Sequence, residues 1–199
     1  MGLKQSNQNG RSMIEMLGVL AIVGILSVGG MSAYRKAMTK YEANKWTEDM
    51  QLVVENFTFY AEEWKRIARK ENKDTVSVTK YVYDAGLVPS AIKQSIAGFS
   101  AYPDKIYISI VIRPKDSGFN EKCHRLFNQL ILPRSEIVEF VHRIGKKDND
   151  AWLNQKIYYG GTRCNPKIKC LQNFTITDVI NICHYDEEEE NVAFAIYFK

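Results

Sequence analysis

The chain has 199 residues, 45% of them apolar and 25% charged, which suits one domain or a domain with an appendage and excludes wholesale disorder. A net charge of +4 is too small and too dispersed to imply nucleic acid by itself. Basic clusters such as Trp64–Lys70 fall on a charged helix and read as a solvated face.

In chain order, residues 1–10 (MGLKQSNQNG) are short, polar and weakly basic. Residues 16–28 (MLGVLAIVGILSV) hold only Ser27 as a polar side chain. Extended from Met13 to Met31, the run approaches the roughly 20 residues that a membrane-spanning helix needs. Glu15 stands at its start, and a charge in lipid costs about 2.5–3.5 kcal/mol on insertion scales. The carboxylate therefore demands compensation. The core of an ordinary secretory signal does not normally carry one.

From Ser32 to Asn72 there is neither proline nor glycine. Apolar residues recur at Tyr34, Met38, Tyr41, Trp46, Met50, Val53, Val54, Phe57, Tyr60, Ala61, Trp64, Ile67 and Ala68, the spacing of one helix face. Lys40, Glu42, Lys45, Glu48, Glu55, Glu62, Arg66 and Lys70 occupy the other. The simplest reading is one helix from about Ser12 to about Lys70. Its first half belongs in lipid or against other chains, and its second half packs on a head.

The head opens with a short helix ended by Gly86, and Pro89 then opens a loop. Residues 105–113 (KIYISIVIR) alternate strictly, with Ile106, Ile108, Ile110 and Ile112 on one face, which predicts a half-buried strand. Cys123, Leu126, Phe127 and Leu130 follow at helical spacing, and Pro133 ends that helix. Residues 136–144 (EIVEFVHRI) lean towards strand through their β-branched content. Residues 146–152 and 158–167 read as turns and loops. The acidic run Asp186–Glu190 is expected as a solvated turn rather than a calcium loop, because consecutive carboxylates point alternately. Val192, Phe194, Ile196 and Phe198 share one side of a final strand.

The four cysteines, Cys123, Cys164, Cys170 and Cys183, allow three pairings. Without a C-x-x-C the usual zinc and thioredoxin spacings are missing. Adjacent Cys-His pairs such as Cys123-His124 and Cys183-His184 rarely chelate together, so disulfides in an oxidising compartment are expected and a metal is not. No catalytic set stands out: His124, His142 and His184 read as surface or partly packed, and no phosphate loop, nucleophile elbow or H-E-x-x-H appears. The expectation is a protein that is not an enzyme and takes no cofactor.

Gly10, Glu15 five residues after it, the apolar run and its helical continuation resemble the type IV pilins and the pilin-like pseudopilins of secretion systems, whose prepilins carry a class III signal sequence. The close similarity covers about residues 10–45. The head is similar in layout only: long helix, a loop with GLVP, antiparallel strands and late cysteines. The resemblance implies an α+β fold, with a long helix packed on an antiparallel sheet. It implies a leader at 1–10, a hydrophobic transmembrane and assembly helix at 11–31, an amphipathic helix at 32–72 and a globular head at 73–199.

It also implies a mechanism. A prepilin peptidase cuts after Gly10, leaving Arg11 as a first mature residue that is commonly N-methylated. Glu15 then neutralises the N-terminal amine of a neighbouring subunit and sets the stagger between subunits. The implied partners are homologous pilin subunits, the peptidase, the inner-membrane assembly machinery and, before assembly, membrane lipid. The implied location is the bacterial inner membrane with a periplasmic head, then a surface pilus or a periplasmic pseudopilus.

Two features depart from the pattern. Arg11 replaces a residue that is usually hydrophobic, often Phe, and puts methylation in question. Gly18, Gly24, Gly29 and Gly30 stand where many major pilins also have a kinking proline. Cys123 is expected to pair with Cys183, and Cys164 with Cys170 through the short CNPKIKC loop, since resembling pilins commonly close their C-terminal region this way. The alternatives are a type II secretion pseudopilin and a membrane-anchored periplasmic binding domain.

Overall fold

The computed structural model describes residues 13–116, 118–146, 152–164 and 169–199. They divide into two units between Thr39 and Lys40. The first unit is helical from Met13 onwards as part of α1 (Met13–Phe59). Leucine, isoleucine, alanine and methionine favour the helix, and each of the four glycines opposes it by about 1 kcal/mol. The few hydroxyls bond back to the preceding turn: Ser27 Oγ donates to the Val23 carbonyl at 2.7 Å, and Thr39 Oγ1 to the Arg35 carbonyl at 3.0 Å.

In the second unit, α1 buries Ala43, Trp46, Met50, Val53, Val54 and Phe57, a single stripe at helical spacing. The helix does not run on to Lys70. It ends at Phe59, Tyr60 leaves helical geometry (φ −93°, ψ 18°), and α2 (Ala61–Glu71) starts afresh. The indole N–H of Trp64 donates to the Phe57 carbonyl at 3.1 Å, and its ring stacks on Phe57 with centroids 6.0 Å apart. Asn72 closes α2 in the left-handed conformation (φ 50°).

There follow β1 (Val76–Ser77), α3 (Thr79–Asp84), β2 (Ile96–Ala101), β3 (Ile106–Ile112), α4 (Phe119–Arg125), β4 (Val138–Lys146), β5 (Trp152–Tyr159), α5 (Ile176–Ile182) and β6 (Asn191–Phe198). The short helix before Gly86 and the strands at 106–112, 138–146 and 191–198 fall where the pattern put them. β2, β5 and α5 do not follow from it. β5 lies mostly between the two stretches read as turns and loops and takes Trp152, Tyr158 and Tyr159 from them. Beyond Arg125, α4 widens into a π-helical turn, Leu126–Ile131, then tightens into a 3-10 turn containing Pro133.

All six strands join one antiparallel sheet in the order β1-β2-β3-β6-β4-β5. Ile108 faces Ile196 and Ile110 faces Phe194 across the β3–β6 ladder. With Phe99, Val138 and Val141 these side chains form the floor of the core against Met50, Val54 and Phe57 of α1. The molecule is thus α+β, a long helix packed through its second half on an antiparallel sheet. On the opposite sheet face Tyr107, Tyr197, Phe140 and Tyr159 make a cross-strand row, with neighbouring centroids 4.9, 4.0 and 6.2 Å apart. Cys123 is bonded to Cys183, and Cys164 to Cys170.

Candidate functional site

Gly10 and Arg11 lie outside the described residues. Glu15 sits in the first turn of α1, where a carboxylate suits the positive helix end. It is exposed, and Met16, Val19 and Leu20 line the shallow depression beside it. Among the described residues it has no ion-pair partner. The apolar side chains that follow are exposed as well: Leu17 64%, Leu20 65%, Ile25 74% and Leu26 69%. At Gly18, Gly24, Gly29 and Gly30 a Cβ would meet nothing within 4 Å, so the helix surface is smooth and open there. Arg35 and Lys36 stand just beyond the run, beside Val28, Met31 and Ser32. Such a surface is stable only when something apolar covers it.

The head contributes a buried polar cluster that the sequence reading missed. Glu189, inside the acidic run expected as a solvated turn, is 1% exposed, and Arg143 of β4 is 3% exposed. The two pair bidentately: Nη1 donates to Oε1 at 3.1 Å and Nη2 to Oε2 at 2.9 Å. Arg143 also donates from Nε to the Ile182 carbonyl at 3.0 Å and from Nη2 to the His184 carbonyl at 2.8 Å. The Asp186 N–H donates to Glu189 Oε2 at 3.1 Å. Gly145 leaves the room for this carboxylate, because a Cβ there would collide with it. Strand alternation alone does not reveal it: the bulge between Val138 and Phe140 is what sets Arg143, on the same strand face as Val141, towards the core.

The remaining candidates stay apart. His124 lies half-buried on α4, His142 half-buried on β4, and His184 is exposed. Among the described residues no group of three or more His, Cys, Asp or Glu is placed to hold a metal. Asp178 caps α5: the Thr175 N–H and hydroxyl both donate to Asp178 Oδ2, at 2.7 and 2.6 Å. Its pKa is lowered from 3.8 to about 2, first by the Lys169 ammonium, then by the two Thr175 donors.

The fold and the site define an α+β protein with a disulfide-tied head and, among the described residues, one helix long and apolar enough to cross a membrane. No protein-family model matches the chain, and no curated protein or solved structure matches it either.

Proposed function

We propose that the chain is a structural subunit, a pilin or minor pilin, of a type IV pilus-like filament. It is made as a prepilin, cut after Gly10 by a prepilin peptidase, and assembled through its N-terminal helix. The observation that carries this reading is the first half of α1: an apolar surface exposed on every side, opened by a lone carboxylate five residues after a glycine. An exposed surface of that kind fits lipid before assembly and the helices of other subunits afterwards. Glu15 then has a partner that the described residues of the isolated chain do not supply, the amine of the neighbouring subunit.

In this reading the role is structural rather than catalytic. The head stands in the periplasm while the helix crosses the inner membrane, and it reaches the cell surface when the filament extends. Packed helices replace lipid with similar apolar surface, so the burial term changes little on assembly. The Glu15–amine pair supplies the axial register, since leaving either charge alone in the bundle is so costly.

The deciding measurement is the mature N-terminus by mass spectrometry of the protein from the membrane and from sheared filaments. The proposal expects Arg11 as the first residue. A membrane-held chain that keeps residues 1–10 would point instead to a permanently anchored binding domain. A correctly cut protein found only in the periplasm would point to a pseudopilin.

A further inference from the structure

We propose that Arg143 is the positioning residue that selects Cys183 as the partner of Cys123, with Glu189 as its counterion. The inference does not rest on the filament reading. The guanidinium donates to the carbonyls of Ile182 and His184, the residues immediately before and after Cys183. One rigid, planar group therefore grips the chain on both sides of the cysteine, at the carbonyl of the residue before it and at the carbonyl of the residue after it. A lysine ammonium, a single point of charge, does not span both.

The other edge of the fork is fixed by Glu189, which in turn holds the Asp186 N–H. Arg143 and Glu189 side chains are 4% and 0% exposed, so the grip works away from competing water. None of these contacts involves sulfur. The grip is therefore the same for a thiol as for a disulfide, and it presents Cys183 to Cys123 with Cα atoms 5.8 Å apart.

Chain length does not make this choice. Cys164 and Cys170 are both nearer to Cys123 in the sequence than Cys183 is. Loop-closure entropy rises only slowly with length, and what preference it has favours the nearer partners. The selection must come from placement.

The chemistry is ordinary thiol–disulfide exchange. One cysteine thiolate attacks a sulfur of a disulfide oxidant such as glutathione disulfide and expels one glutathione thiolate. The second cysteine thiolate attacks the protein sulfur of the mixed disulfide and expels the other. Two electrons pass to the oxidant, and the two protons of the protein thiols end on the two glutathiones. Arg143 makes and breaks no bond; it raises the concentration of one thiol at the other.

The test uses the full-length chain in detergent micelles, reduced and then equilibrated with glutathione buffers, with bridges read by non-reducing peptide mapping. The wild type is expected to form Cys123–Cys183. Arg143→Lys keeps a charge opposite Glu189 but loses the double grip. It is expected to lower the effective concentration of the pair by about tenfold or more and to yield Cys123–Cys164 or Cys123–Cys170 crosslinks. Unchanged fidelity and unchanged effective concentration in Arg143→Lys overturn the proposal.

A second measurement does not depend on that variant folding. With all four cysteines replaced by serine, the amides of residues 182–189 are expected to stay protected from hydrogen exchange along with β4 and β6. Loss of protection there, local or global, overturns the proposal, because the grip would then require the bridge it is said to guide.

Discussion

At the scale of single residues, Glu15 has the most to explain and the least to hold it. Among the described residues its carboxylate is exposed and without an ion partner. In the proposed assembly, Glu15→Ala leaves the neighbour's amine alone in an apolar bundle, a loss of about 3–5 kcal/mol for a broken buried pair. The variant is expected to be cut normally and to give few or no filaments in a shearing assay; wild-type yield would remove its registry role. Gly10→Val places a branched side chain at the proposed scissile bond and is expected to leave a precursor with residues 1–10 attached, visible by mass. Asp178 makes a prediction of another kind. Its folded pKa of about 2 lies below the ordinary 3.8. The stability it contributes is therefore complete above that ordinary value and is lost as pH falls through about 2. The difference in urea midpoint between wild type and Asp178→Asn is expected to be constant at higher pH and to close over this window. A gap independent of pH would assign the cap's contribution to hydrogen-bond geometry rather than charge.

At the scale of elements, one side-chain hydrogen bond spans the break at Tyr60. Trp64→Phe keeps most of the ring packing on Phe57 but leaves that buried carbonyl without the indole donor. A destabilisation of about 1–3 kcal/mol is expected from the unmet group, measured by denaturant titration. The break was illegible beforehand, because neither proline nor glycine marks it and the group that stabilises it comes a full turn later. β3 and β6 were legible because each lies inside the sheet with one face on the core, so Ile106 to Ile112 and Val192 to Phe198 alternate cleanly. β5 was not. It is one of the sheet's two edge strands, and Gln155 and Lys156 give it the polarity of a loop, as edge strands commonly have. β2 was hidden by Gly98 and Ser100, and α5 by its seven-residue length. The acidic run misled because its composition is that of a solvated turn, while the one side chain that turns inward, Glu189, is identical in type to its neighbours. For Glu15 the sequence supplied the spacing, and no contact among the described residues adds a partner to it.

At the scale of the whole molecule, the two disulfides close loops of very different size. Cys123–Cys183 spans a sequence separation of 60 and Cys164–Cys170 one of 6. In the chain-entropy model, serine replacement of the first pair costs the head about 4 kcal/mol and of the second about 2 kcal/mol. Thermal unfolding of the two double variants should show that order; the reverse would mean that the short loop stabilises through contacts rather than through entropy. The strand order carries a consequence of its own. β6 lies between β3 and β4, yet it follows both in the chain. Until Asn191–Phe198 has been made, nothing joins β1–β2–β3 to β4–β5, and the inner edges of β3 and β4 lack their partner. The head is a closing-stitch design: β3 and β4 both wait on β6 for their inner-edge partner, and until it is in place two sticky edges need shielding.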